Sequence, residues 1–574
     1  MALVVVVTPI LFPTPRKPPA AARDSLGTLR PDSATPATNT PPATQAPAAA
    51  PTTAPTQPTT LTLERSAGGP TRTTVGPATA PAVRAETTIV RTARAEYAIA
   101  SPGGVPVRVT LIDYRSLRGR ERQSRAPVNL LEPGDRLLSL RLAGARDTIA
   151  LDNVAFRADA QRREGNTLVQ SLTATAPVPI TLTYRFPVDS FVAHVQGTVG
   201  AALGQTYQLL ATLPTRVRSE EADILDDTRH LAVGYKAGNA DPASVAFRQL
   251  DSVTRIDSGT IRWVAERNKY FVVAMIPEGT RDAAIRALLL RGGTRTGNDA
   301  TAAHVTTVLP VDASGFAFKV YAGPQSWDHL RKTAPDLENV NPYGGWLHGV
   351  VQPFATIVMR MLLWIHHTLN LGYGWVLVLF GVLVRLILWP LNQNAMRSSM
   401  RLQRIQPQLA EIQKKYARDP EKQRDAMLKL YQEHGMSPFT PVLGCLPMLL
   451  PMPILFALYF VFQNTIEFRG VSFLWLPDLS LRDPYFITPL FMGVTMFVLS
   501  WIGMRGMPPN PQGKMMAYVM PVMFTVLFWN FASGLNLYYA VQNVAALPQQ
   551  WLLARERTVN PPPGQSKGTS RDRS

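Results

Sequence analysis

A chain of 574 residues with a formal net charge of +18 has room for several domains and is basic enough to lie against nucleic acid, a ribosome or an anionic lipid surface. Its single cysteine, Cys445, excludes an internal disulfide. The eight histidines are dispersed without zinc-ligand spacing, and no GxxxxGK[ST], GxGxxG, HExxH or GxSxG stretch occurs, so nothing marks a nucleotide, metal or acyl-transfer site.

In chain order, residues 1–13 hold an apolar run short of the roughly 20 residues that span a bilayer, and they lack the basic start of a signal peptide. The run reads as the remnant of an N-terminal signal-anchor helix whose start codon lies upstream. Residues 14–85 are dominated by Ala, Pro and Thr, a composition that predicts a disordered, semi-extended tether. From 86 to 335, apolar and polar residues alternate. Val107, Val109 and Leu111 interleave with Arg108, Thr110 and Ile112; Ile180, Leu182, Tyr184 and Phe186 interleave with Thr181, Thr183 and Arg185; Phe316, Phe318 and Val320 interleave with Ala317 and Lys319. Such a period predicts antiparallel strands in an all-β sandwich domain.

The remainder differs in kind. Residues 336–371 contain an apolar helix interrupted by Pro353, Arg360, His366 and His367, which predicts an amphipathic helix lying in the membrane interface, with a sixth span as the alternative. Residues 372–553 contain four long apolar stretches, 372–391, 443–463, 484–504 and 515–553, the last broken between Asn530 and Gly534, so five transmembrane helices are expected. Residues 392–441 carry nine Lys and Arg against five acids, which places them in the cytoplasm. Counting spans from there puts the β domain and residues 466–483 outside, and residues 505–514 and the basic tail 554–574 inside.

Arg385 is the most informative single residue, because a guanidinium stays charged at any accessible pH and costs about 2.5 to 3.5 kcal/mol or more in hydrocarbon. Stretches 443–463, 484–504 and 515–553 contain no Asp or Glu to pair with it, so a hydrated cavity is expected; snorkelling towards Trp389 and Pro390 is the alternative. Within 396–434, Leu402, Ile405, Leu409, Ile412 and Tyr416 keep helical spacing, and Met427, Leu430, Tyr431 and His434 repeat it beyond Asp419-Pro420, which predicts a helical hairpin. Its other faces carry Arg404, Lys415, Lys422 and Arg424, a surface for ribosomal RNA, lipid headgroups or an acidic partner, or simply a solvated charged face.

The stretches Gln352-Pro353-Phe354, Trp364-Ile365-His366, Val384-Arg385 with Trp389-Pro390-Leu391, Gln406-Pro407, Gly444-Cys445-Leu446-Pro447, Met452-Pro453-Ile454, Asp483-Pro484-Tyr485, Met492-Gly493-Val494-Thr495-Met496, Met520-Pro521-Val522 and Ser533-Gly534-Leu535 with Tyr538-Tyr539 resemble the YidC/Oxa/Alb insertase family. The similarity runs in order from about Asn341 to Leu553, and the β region is loosely similar to the periplasmic domain of Gram-negative members, best at Tyr321-Ala-Gly-Pro324. The resemblance implies a non-enzymatic membrane protein insertase of the bacterial inner membrane, without cofactors. Its core would be a five-helix groove open to the cytoplasm and the lipid. The groove arginine falls on Arg385, and a hydrophobic slide falls on Leu455, Met523, Leu527, Phe528 and Tyr539. Implied partners are nascent membrane proteins, the lipid bilayer and the Sec translocon, with only weak ribosome binding because the tail is short. A secondary transporter of an anionic solute is the rival reading, though internal repeats or matched helix breaks are not displayed. An envelope-assembly scaffold, in which the helices only anchor the β domain, is the third.

Overall fold

The computed structural model describes residues 86–118, 126–145, 147–200, 207–279, 284–297, 299–312, 315–342, 348–433, 452–505 and 511–559. The signal-anchor remnant, the tether, residues 443–451 of the second expected span and the tail beyond 559 lie outside the described residues.

The alternating segments are strands. Along Ile180–Pro187, Ile180, Leu182, Tyr184 and Phe186 point into the core while Thr181, Thr183 and Arg185 take the other face. Thr87–Arg91, Ala95–Ala100, Pro106–Arg115 and Pro127–Asn129 pair as one antiparallel sheet, and a 15-stranded antiparallel sheet runs from Thr148–Ala150 to Arg157–Ala158. The two sheets share one apolar core, in which the rings of Tyr97 and Phe186 lie 4.6 Å apart. Tyr184 is buried there with its polar end satisfied, its hydroxyl donating to the Gly104 carbonyl at 2.7 Å.

Two short helices, α1 (Ile224–Arg229) and α2 (Trp327–Thr333), accompany the sheets. Among the described residues seven more follow: α3 (His348–Leu369), α4 (Tyr373–Lys415), α5 (Pro420–Glu433), α6 (Met452–Asn464), α7 (Ile487–Met504), α8 (Pro511–Leu527) and α9 (Ser533–Val559). Among the described residues, three segments suffice by length and composition to cross a membrane, His348–Leu369, Tyr373–Pro390 and Ile487–Met504, and Ala517–Asn530 is a shorter apolar helix. The expected break in the last apolar run is present: a 3-10 turn at Phe528–Asn530 separates α8 from α9.

The first span and the first arm of the hairpin are not separate helices; α4 is continuous for 43 residues, roughly 65 Å at 1.5 Å per residue. Composition changes from apolar to charged after Leu391, but the helix runs on through Pro390, Asn392, Asn394, Ser398, Ser399 and Pro407, with no glycine after Gly381 to interrupt it. The chain turns only at Asp419, whose carboxylate accepts from the Lys422 amide at 3.2 Å, with Pro420 at the first helical position, where no donor is required. Leu430 and Tyr431 of α5 then bury against Ile405 and Leu409.

The β domain is docked on the loop between α6 and α7. Arg469 donates from Nε to Glu221 at 2.8 Å, from Nη1 to the Arg115 carbonyl at 3.0 Å and from Nη2 to the Glu220 carbonyl at 3.3 Å. The turn before α9 reaches the same loop: Ser533 N donates to the Leu481 carbonyl at 2.7 Å and Gly534 N to that of Leu479 at 2.9 Å. A Cβ on Gly534 would stand 3.1 Å from the Leu479 oxygen, which accounts for glycine there. The three segments expected on one side of the membrane, namely the β domain, the α6–α7 loop and the α8–α9 turn, are thus held together.

Two carboxyls at this junction are pushed up to about 7 by burial: Glu221, where burial outweighs Arg469, and Glu467, whose Oε2 is buried without a hydrogen-bond partner. A carboxyl whose folded pKa lies above its unfolded value near 4.5 stabilises the docked state most below that value and progressively less as pH rises towards 7. The thermal unfolding midpoint is therefore expected to fall between pH 5 and pH 7.5, with a shallower fall in Glu467→Gln. A midpoint that rises across that window would show Arg469 winning over burial.

Candidate functional site

The spans pack around a polar strip on α9. Tyr373, at the β-domain end of α4, sets its ring 5.6 Å from Phe468, and Arg385 lies twelve residues further on, roughly 18 Å along the helix. Gly381, one turn before Arg385, lets α9 approach closely, since a Cβ there would meet Val541 at 3.0 Å.

Arg385 is half-buried, and Nη2 donates to Gln549 Oε1 at 2.7 Å. Gln549, 2% exposed, donates from Nε2 to the Trp389 carbonyl at 3.2 Å. Two turns earlier on α9, Gln542 Nε2 donates to the Gly381 carbonyl at 3.0 Å and to the Tyr538 hydroxyl at 2.9 Å. Asn543 donates to Thr495 Oγ1 at 3.2 Å and to the Met492 carbonyl at 3.3 Å, tying α9 to α7. Among the described residues no carboxylate forms a salt bridge with Arg385, and its buried Nε finds no partner. The arrangement holds a full positive charge against a neutral amide among apolar helices.

Of the expected slide residues, Phe528 and Tyr539 are brought together, their rings 5.3 Å apart and edge-on, and the Tyr539 hydroxyl is buried without a hydrogen-bond partner. Phe524 and Phe531 extend this aromatic cluster at 6.0 Å and 4.8 Å from Phe528. Met523 is half-buried on α8 and Leu527 is exposed at its end. Leu455 is on α6 and Arg404 on α4, but both side chains lie outside the described residues. Lys415, Lys422 and Arg424 are exposed around the α4–α5 turn, far along α4 from Arg385. Gln549 is the residue that the sequence reading missed. Its signal was an amide seven residues after Gln542, on the same helical face.

Comparison with known proteins covers both halves of the chain. The YidC periplasmic domain family matches residues 87–357, and the family described as 60Kd inner membrane protein matches residues 364–560. The membrane protein insertase YidC of Chlorobium phaeovibrioides is 31% identical over 398 residues, 65% of this chain and 66% of that protein. Its counterpart in Nitrosococcus oceani is 31% identical over 395 residues, 66% of this chain and 67% of that protein. A solved structure of an active YidC insertase aligns over 82% of this chain and 93% of its own at 20% identity, with a TM-score of 0.32. With a β-rich periplasmic-type domain and a helical membrane-type core both matched, the chain belongs to the YidC family of membrane protein insertases.

Proposed function

We propose that this chain inserts apolar segments of other proteins into the bacterial inner membrane, and that Arg385 draws their acidic outer tails partway across. The observation that carries the reading is the pairing of Arg385 with a neutral amide among spans without acids. A charge that is held but not neutralised stays available to an incoming carboxylate, and attraction strengthens as the surroundings become less polar. Transfer of the substrate's own apolar helix into lipid supplies the driving force, so no nucleotide is required.

In this reading the apolar part of α4, α6 together with the residues before it, α7, α8 and α9 are five spans, and Leu455, Met523, Leu527, Phe528 and Tyr539 form the slide. The helix α3 lies along the outer surface. Supporting this, three points spread over fourteen residues of α3, about 21 Å, all meet groups on the β-domain side: Gln352 donates to Asn339 at 2.9 Å, Met359 receives the Thr465 hydroxyl at 3.4 Å, and His366 stacks on Tyr373 at 4.2 Å. A spanning helix would carry one end away from that side. The β domain then faces the periplasm, and the α4–α5 hairpin, with Arg404, Lys415, Lys422 and Arg424, faces the cytoplasm beside the C-terminal tail, as the charge bias favours. Nascent membrane proteins and lipid are the partners, with the Sec translocon a further one.

Photo-crosslinkers placed at Met523 and Tyr539 test the reading directly. Both are expected to capture a ribosome-bound nascent chain exposing one hydrophobic segment, whereas the lipid-facing position Val494 is not. Silence at both positions in a folded protein would overturn the groove assignment.

A further inference from the structure

We propose that Gln549 is a positioning residue for Arg385: it orients the guanidinium in the groove without neutralising it, and so sets how strongly the protein favours acidic substrate tails. The inference rests on the insertase reading above and adds a residue to it.

The orientation of the Gln549 amide is fixed by chemistry. A main-chain carbonyl only accepts and a guanidinium only donates. With Trp389 O on one side at 3.2 Å and Arg385 Nη2 on the other at 2.7 Å, the amide nitrogen must face the first and the amide oxygen the second. Gln549 itself is buried, so little water competes for this contact. Gln542 contacts the Gly381 carbonyl four residues before Arg385, as Gln549 contacts the Trp389 carbonyl four residues after it. Two glutamines two turns apart on α9 therefore brace α4 on either side of the arginine, and only Gln549 touches the charge. Glutamate at 549 would have nearly the same size and reach, but it would place a carboxylate where the amide oxygen now lies and occupy the guanidinium with an internal partner.

The test uses the full chain in proteoliposomes and two substrates that differ only in the outer tail, one bearing several carboxylates and one neutral. The readout is the ratio of their insertion rates. Gln549→Leu is expected to lower this ratio on the order of tenfold, the scale of one lost hydrogen bond to a charged group. Gln549→Glu, which keeps the packing, is expected to lower it at least as far. Gln542→Leu removes the other brace and is expected to hold the ratio. If Arg385→Ala collapses the ratio while both Gln549 variants keep it, the inference is wrong and the insertase reading stands. If Arg385→Ala itself leaves the ratio intact, electrostatic capture fails and the inference fails with it. A fall of both substrates in step in Gln549→Leu and Gln549→Glu, or a loss of ratio in Gln542→Leu, would reduce Gln549 to a helix brace and overturn the proposal.

Discussion

Arg385→Glu is expected to reduce insertion of substrates with acidic outer tails on the order of a hundredfold while costing neutral-tailed substrates far less. At an effective dielectric of about 20, unit charges 4 Å apart interact by about 4 kcal/mol, so replacing attraction by repulsion changes the capture step by several kcal/mol even after partial hydration. Gln549 would have to turn its amide to donate to the new carboxylate and would then lose its bond to the Trp389 carbonyl, so the neutral-tailed substrate also reports any loss of fold. Arg385→Lys separates charge from shape. Its point charge keeps the attraction but not the planar fork that bonds Gln549, so an intermediate loss confined to acidic tails is expected. Protease protection of the translocated tail in proteoliposomes measures all three proteins. Equal losses for acidic and neutral tails in both variants would sink electrostatic capture.

What the sequence disclosed and what it withheld divide along physical lines. The alternation at Ile180, Leu182, Tyr184 and Phe186 is a local property of a strand with one buried face, and those residues are buried as expected. The turn at Asp419-Pro420 and the break before Ser533 are also local, since each depends on side chains within a few residues of the bend. The continuity of α4 was not legible, because a change of solvent from lipid to water alters composition without altering backbone preference. Contacts between segments distant in the chain left little trace. Arg385 and Gln549 are separated by 164 positions, and nothing in the periodicity of α4 identifies which amide of α9 will face it. Phe528 and Tyr539 were singled out through family resemblance, and their ring contact follows from the tight α8–α9 turn between them.

The junction of the β domain with the membrane core was the least legible part, and it yields the second large effect. Arg469 and Glu221 are 248 positions apart, and their side chains are only 3% and 6% exposed. Arg469 also passes its guanidinium 5.1 Å from the Phe271 ring, so it is enclosed by the domain it holds. Arg469→Ala leaves Glu221 buried with its partner gone, a change that typically costs about 3 to 5 kcal/mol, and it removes the bonds to the Arg115 and Glu220 carbonyls, the second of which still accepts from Leu117 N at 2.7 Å. The β domain keeps its own apolar core, so the expected result in calorimetry is an undocked domain that melts separately from the helices. The double variant Arg469→Met with Glu221→Leu distinguishes the causes, because it removes the stranded charge and refills the space. Recovery of most of the lost stability would place the cost in the unpaired carboxylate. A double variant as weak as Arg469→Ala would place it instead in the two carbonyls, making Arg469 a clasp on the backbone at Arg115 and Glu220 more than one half of an ion pair.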